Sequence, residues 1–201
     1  MKIVVIKYNA GNIRSVDFAL QRIGISATIT DDKDEIRNAD RVIFPGVGEA
    51  ATTMRFLKQH KLDSLICDLK QPVLGVCLGL QLMCTHSEES DTTCLGIFPE
   101  KVKKFIPLPG DSSHYKIPHM GWNSLSELKT PLFDGLSEAD YFYFVHSYYA
   151  TTGGDTAATC TYLNPFSAAL QRDNFYATQF HPEKSGSAGS KLLSNFINLK
   201  F

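Results

Sequence analysis

Gln71-Pro72-Val73-Leu74-Gly75-Val76-Cys77-Leu78-Gly79-Leu80-Gln81 reads as a short buried strand that breaks into a helix at a cysteine. The strand covers Val73 to Val76, the turn holds Cys77, and the helix starts near Leu78 and carries Gln81. Glycines stand two residues before the thiol and two after it. A sharp strand-to-helix turn of this build offers one side chain to a ligand. Its backbone is strained and passes close to what it binds, so its neighbours must be small. A negative charge on Cys77 would also meet the positive end of the helix. The competing reading is an ordinary core cysteine, because free cysteines are commonly buried.

Outward from this turn the chain alternates strand and helix. Ile3 to Ile6, Ser26 to Thr30 and Arg41 to Phe44 read as strands. Tyr8-Asn9-Ala10-Gly11-Asn12 reads as a turn, with Asn12 as N-cap of a helix outlined by Ile13, Val16, Phe18, Leu20 and Ile23. Asp34 to Asn38 is a short helix, and Met54 to Leu69 is helical with breaks. Strand character resumes over Gly96 to Phe105, and Leu108 to His114 is a loop. The second half is dense in Tyr, Phe and Thr. It predicts short strands at Met120 to Asn123, Tyr141 to Phe144, Ser147 to Ala150, Thr156 to Tyr162, Ala168 to Gln171 and Phe175 to Gln179. Gly186 and Gly189 flank a loop, and Ser190 to Leu199 is an amphipathic closing helix. The pattern predicts an α/β fold: an open, twisted, mostly parallel sheet with helices on both faces, plus a second small strand-rich layer in the C-terminal half.

The 201 residues suit one domain. Net charge is -1, which argues against a general nucleic-acid binder. Five cysteines without paired zinc-like spacing fit reduced thiols in the cytoplasm. The first apolar run is too short for a signal peptide, and no run reaches transmembrane length.

A reactive thiol needs a base, and the base needs an orienter. Gln179-Phe180-His181-Pro182-Glu183 supplies both at the end of a predicted strand. Pro182 pushes His181 toward extended backbone, where residues i and i+2 point the same way. Glu183 then holds one ring nitrogen and leaves the other for Cys77. Taken alone, His181 also reads as a plain core or surface histidine. His146 is the second candidate base, but it lacks a carboxylate at i+2 and reads as structural or pocket-forming. Pro45-Gly46-Val47-Gly48, directly after the third strand, can present successive N–H groups to an anion. With the Leu78 N–H, Gly46 to Gly48 form a candidate oxyanion hole. No His, Cys or carboxylate spacing points to a metal, and there is no nucleotide fingerprint.

These stretches together resemble the triad-type, class I glutamine amidotransferases. The similarity runs over nearly the whole chain, residues 1–201. Tyr8 to Asn12 with Ser15, Pro118-His119-Met120-Gly121-Trp122-Asn123 and Tyr143-Phe144-Val145-His146-Ser147-Tyr148 resemble the members that serve a (βα)8-barrel cyclase in histidine biosynthesis. The resemblance implies a glutaminase, without cofactor, that passes ammonia to such a cyclase in a 1:1 heterodimer. It implies Cys77, His181 and Glu183 as the triad. Gln81, Glu89, Ser147 and Tyr148 match residues that hold the substrate glutamine. Asn12, Trp122, Tyr143 and Lys184 match partner-interface and ammonia-gate positions. Three alternatives stay open: a triad hydrolase of another class, a glutaminase of surface-polysaccharide synthesis, and a non-enzymatic subunit.

Overall fold

The computed structural model describes residues 1–8, 12–107 and 115–200. Four apolar residues in a row make β1 (Ile3–Ile6), buried throughout. Such a run suits a parallel strand covered on both faces. α1 (Ile13–Arg22) leads to β2 (Thr28–Thr30), and α2 (Lys33–Arg37) leads to β3 (Arg41–Phe44). α3 (Ala50–Gln59) and α4 (Leu62–Asp68) are split at Lys61, whose φ is 53°, and lead to β4 (Val73–Val76). α5 (Leu78–Met83) follows the elbow.

Short strands come next: β5 (His86–Ser87), β6 (Thr92–Thr93), β7 (Lys101–Lys104), β8 (His119–Ser124), β9 (Tyr141–His146) and β10 (Tyr148–Ala150). β11 (Thr156–Tyr162), β12 (Asn164–Arg172) and β13 (Phe175–Thr178) precede the last helix, α6 (Gly186–Ile197). The main sheet has the order β11-β12-β13-β4-β3-β1-β2. β2, β1, β3, β4 and β13 run parallel, while β12 and β11 extend the sheet antiparallel. Two small sheets lie beside it: β10-β7-β5-β6 and the β8-β9 hairpin.

Each face of the main sheet carries its own core. Ile3 and Val5 pack with Val16 and Leu20 of α1 and with Leu192 and Phe196 of α6. Val4 and Ile6 point the other way, to Leu57, Leu65 and Leu80. This follows from the two-residue side-chain alternation of a strand. No helix of the described residues is long and apolar enough to cross a membrane.

Three expectations change. Phe18, placed on the apolar stripe of α1, is 57% exposed. Asn12 stands at the N-cap of α1, but in left-handed conformation and without a side-chain capping bond. Gly186 and Gly189 belong to α6 rather than to a loop, so the closing helix starts a full turn earlier than its apolar pattern suggests. Residues 9–11 of the predicted turn and the predicted loop 108–114 lie outside the described residues.

The functional edge depends on how closely α5 sits on β3. A Cβ built on Gly79 would stand 2.2 Å from the Phe44 carbonyl oxygen. Backbone offers no room to yield there. Gly79→Ala is expected to destabilise the fold by about 1–3 kcal/mol or more, read as a lowered urea midpoint. An unchanged midpoint would show that α5 can move away freely.

Candidate active site

β4 lies between β3 and β13, and all three run parallel. Their carboxyl ends therefore emerge side by side at one edge of the sheet. Gly46 follows the first, Cys77 the second and His181 the third. Ligands in such sheets bind outside this edge.

Cys77 adopts φ 54° and ψ -108°, a conformation that side chains with a Cβ rarely take. Its N–H donates to the Thr178 carbonyl at 2.7 Å. The next N–H, of Leu78, donates to the Gly46 carbonyl at 3.3 Å. The elbow is thus tied to both neighbouring strand ends. The same bond means that the Leu78 N–H is turned toward Gly46 rather than toward an incoming oxygen. Gly48, with φ 127°, continues the strand in a conformation that favours glycine.

The His181 Nδ1 faces Glu183 Oε1 at 2.7 Å. The pairing reaches its partner by a different route from an extended chain. His181 itself is extended, but Pro182–Lys184 coil into one 3-10 turn that folds Glu183 back onto the ring. Asn12 donates its amide N–H to the same carboxylate oxygen, and Arg22 donates to the Glu183 carbonyl at 3.1 Å. The start of α1 therefore fastens the carboxylate from behind. His181 N–H donates to the Tyr143 carbonyl at 2.9 Å, and Ser185 Oγ donates to the His181 carbonyl at 2.6 Å. His181 Nε2 is buried and makes no hydrogen bond among the described residues. Burial alone would lower the pKa of this ring. The charge of Cys77 close by and the Glu183 carboxylate outweigh burial and raise it to about 10.

A cavity of about 390 Å3 opens over this edge. Val47, Gly48, Cys77, Leu78 and His181 line it, as do Gln81, Glu89, Ser147, Tyr148 and Lys184. Gly46 sits under Leu78, where a Cβ would come within 2.7 Å of the leucine Cβ. Glu89 accepts from the Ala50 N–H at 2.8 Å, yet burial still raises its carboxyl above the ordinary value. Burial likewise pushes the thiols of Cys94 and Cys160 up, to about 11 and about 12. Such thiols are poor nucleophiles at neutral pH.

The β8-β9 hairpin brings the remaining predicted residues to the rim. Trp122 and Tyr143 are register partners, with ring centroids 5.9 Å apart. Trp122 is 55% exposed. Met120 and Tyr141 stand exposed on the same hairpin. Lys184 Nζ lies 5.8 Å from the Tyr143 ring centre.

Three neighbours escaped the sequence reading. Tyr8 donates its hydroxyl to the Pro45 carbonyl, and burial, then the Cys77 charge, push its phenol far up. Gln179 is fully buried, with its amide nitrogen 3.7 Å from the Cys77 sulfur. His119 joins His146 in a buried pair, Nδ1 to Nε2 at 3.0 Å. Gln179, two residues before His181 and itself pointing inward from a strand end, carried the best available signal. For His119 only the cross-strand register reveals the pair.

A family model described as glutamine amidotransferase class-I matches residues 4–199. The chain belongs to this class of amidotransferases. The imidazole glycerol phosphate synthase subunit HisH of Bacteroides fragilis is 58% identical over 199 residues, spanning 99% of this chain and all (100%) of that protein. The HisH subunit of Bacteroides thetaiotaomicron is 57% identical over the same 99% and 100%. Within its class the chain thus groups with the HisH subunits. The structure of PurLQS from Thermotoga maritima shares the fold with a TM-score of 0.71, covering 98% of this chain and 97% of that one at 16% identity.

Burial lowers the pKa of His146 to about 3 and that of His119 to about 4. Both are neutral in the fold. Unfolded, each binds a proton below about 6.5. The pair's contribution is complete above that pH and is lost as pH falls toward 4 and then 3. Melting temperature should drop across this window, and His119→Gln, which keeps a donor without titrating, should flatten the drop. An equally steep fall in the variant would show that the pair does not set it.

Proposed function

We propose that this chain is the glutaminase subunit of imidazole glycerol phosphate synthase. It hydrolyses the side-chain amide of L-glutamine to glutamate and ammonia. The ammonia passes to a (βα)8-barrel cyclase subunit, in a 1:1 heterodimer, which makes imidazole glycerol phosphate and AICAR in histidine biosynthesis. The whole chain acts as one cytoplasmic amidotransferase domain. The observation that carries this reading is the meeting of Cys77 and the His181–Glu183 pair at the ends of adjacent parallel strands, over one cavity.

Cys77 adds as thiolate to the glutamine side-chain carbonyl. His181 carries a proton, since its pKa lies well above neutral beside the sulfur's charge. It gives that proton to the departing nitrogen, and neutral ammonia leaves. The ring, now neutral, takes a proton from water, which attacks the thioester. Glutamate leaves and the thiolate returns, with His181 protonated again. Glu183 and Asn12 hold the ring in the needed tautomer and orientation throughout. Glu89, a half-buried carboxylate at the cavity wall, suits the substrate's α-ammonium. Gln81, Ser147 and Tyr148 bound the same space.

Oxygen negative charge in the intermediate calls for donors from Gly46 to Gly48 and from Leu78, worth roughly 3 kcal/mol each. The Leu78 N–H is engaged by the Gly46 carbonyl. A turn of the Gly46–Val47–Gly48 backbone would free it and aim its own N–H groups inward. This makes a resting state that a partner can switch on. Trp122, Met120 and Tyr141, with the half-buried Tyr143 against Trp122, form an apolar rim of the kind that anchors interfaces. Lys184 beside Tyr143 stands between that rim and the thiol, at the exit for ammonia.

The test measures glutamine hydrolysis by the free chain, by its complex with ligand-filled cyclase, and by the complex carrying Cys77→Ala. Hydrolysis should be far faster in the wild-type complex than in the free chain and absent in Cys77→Ala. The variant complex should still use free ammonia. Equal rates with and without cyclase would exclude the backbone turn, and persistent hydrolysis in Cys77→Ala would exclude the nucleophile.

A further inference from the structure

One backbone carbonyl fixes the orientation of a buried chain of amides and rings that ends on the nucleophile. The Tyr148 carbonyl is only an acceptor. Gln81 Nε2 donates to it at 2.9 Å, which settles which end of the Gln81 amide is nitrogen. That nitrogen's other hydrogen goes to Gln179 Oε1 at 3.0 Å. The Gln179 amide then has one possible sense, with its NH2 group toward Cys77 Sγ at 3.7 Å, an ordinary distance for a hydrogen bond to sulfur. Turning Gln179 over would set NH2 against NH2 at Gln81 and oxygen against sulfur at Cys77. On its other side the Tyr148 carbonyl accepts from His146 Nδ1 at 2.7 Å. His146 Nε2 is then the acceptor for His119 Nδ1, so neither ring competes for the carbonyl in another tautomer.

We propose that Gln179 is a catalytic hydrogen-bond donor to the Cys77 sulfur, a second donor that complements His181. This rests on Cys77 being the nucleophile. The two donors differ in one respect. His181 surrenders its proton to the leaving ammonia, so its positive charge is gone when the thioester forms. An amide N–H cannot be transferred in this way. Gln179 therefore stays a donor from attack to deacylation, and it holds the sulfur when the thiolate is expelled by water. No bond of Gln179 forms or breaks. Its nitrogen has no other acceptor among the described residues, and the side chain is fully buried. A residue that served packing alone would not need to aim an N–H at sulfur. Gln179 does not line the cavity, so its action falls on the sulfur and not on substrate contacts.

The experiment uses the complex with cyclase and two variants, Gln179→Met, which keeps length without a donor, and Gln179→Glu, which keeps shape and reverses the dipole. Melting temperature of the variant and its co-elution with cyclase check folding and assembly. Three quantities are read: kcat and KM for glutamine, and the rate at which iodoacetamide alkylates Cys77 at neutral pH, followed by mass spectrometry. A charge-assisted donor predicts kcat lower by roughly 10- to 100-fold and alkylation slower by about tenfold or more, with Glu at least as impaired as Met. KM should move by less than about threefold. Wild-type alkylation and kcat in a folded variant would overturn the proposal. So would a loss confined to KM, which would mean that Gln179 only positions Gln81. If Gln179→Met fails to fold, Gln179→Glu decides by the same readings. If the wild-type complex itself does not hydrolyse glutamine, the glutaminase reading fails, while the alkylation comparison still decides the Gln179 contact.

Discussion

The ladder hydrogen bonds that hold β3, β4 and β13 parallel and adjacent govern everything at the site. Strands in a sheet lie about 4.8 Å apart. Fixing three of them in register fixes the separation of whatever follows their carboxyl ends. Residues 46, 77 and 181 are far apart in sequence, yet each occupies the first turn beyond one of these strands. The bonds from the Cys77 N–H to Thr178 and from the Leu78 N–H to Gly46 continue the ladder one step past the strands. The sheet thus extends into the site, and the site inherits its rigidity.

On that frame the chain stores a local strain. Cys77 keeps a backbone conformation that favours glycine, which costs on the order of 1–3 kcal/mol at such positions. The ties to both neighbouring strands and the close seat of Gly79 under Phe44 prevent relaxation. The strained turn sets Cys77 on the wall of the cavity that His181 also lines. Electrostatics act in the same direction: a buried ring would otherwise lose its proton, and only the sulfur's charge and Glu183 keep it.

Much of this was legible in the residues. The glycine spacing around Cys77, the apolar runs of β1 and β4 and the Pro-Gly-Val-Gly turn each have a local cause, and a local cause can be read from local sequence. His181 and Glu183 were paired for a reason that the 3-10 turn replaces. The neighbours proved to be partners, but through a coil rather than a pleat. The antiparallel extension of the main sheet by β11 and β12 had no such mark, because strand partners are chosen by tertiary packing. The same holds for Tyr8, Gln179 and the His119–His146 pair. Each is an unremarkable residue until long-range contacts place it beside the thiol or across a strand. Asn12 shows the reverse case. Its sequence position suits a helix cap, yet with left-handed backbone its oxygen caps no N–H, and its amide nitrogen donates to Glu183 across the fold.

The central claim is that the sulfur of Cys77 attacks the side-chain carbonyl of glutamine in this cavity. A glutamine analogue with a diazoketone in place of the amide tests it directly, because it alkylates the attacking atom. Peptide mass spectrometry of the treated cyclase complex should show one covalent adduct, on Cys77, which excess glutamine prevents. An adduct on another residue, or labelling of Cys77 that glutamine does not compete, would contradict the account.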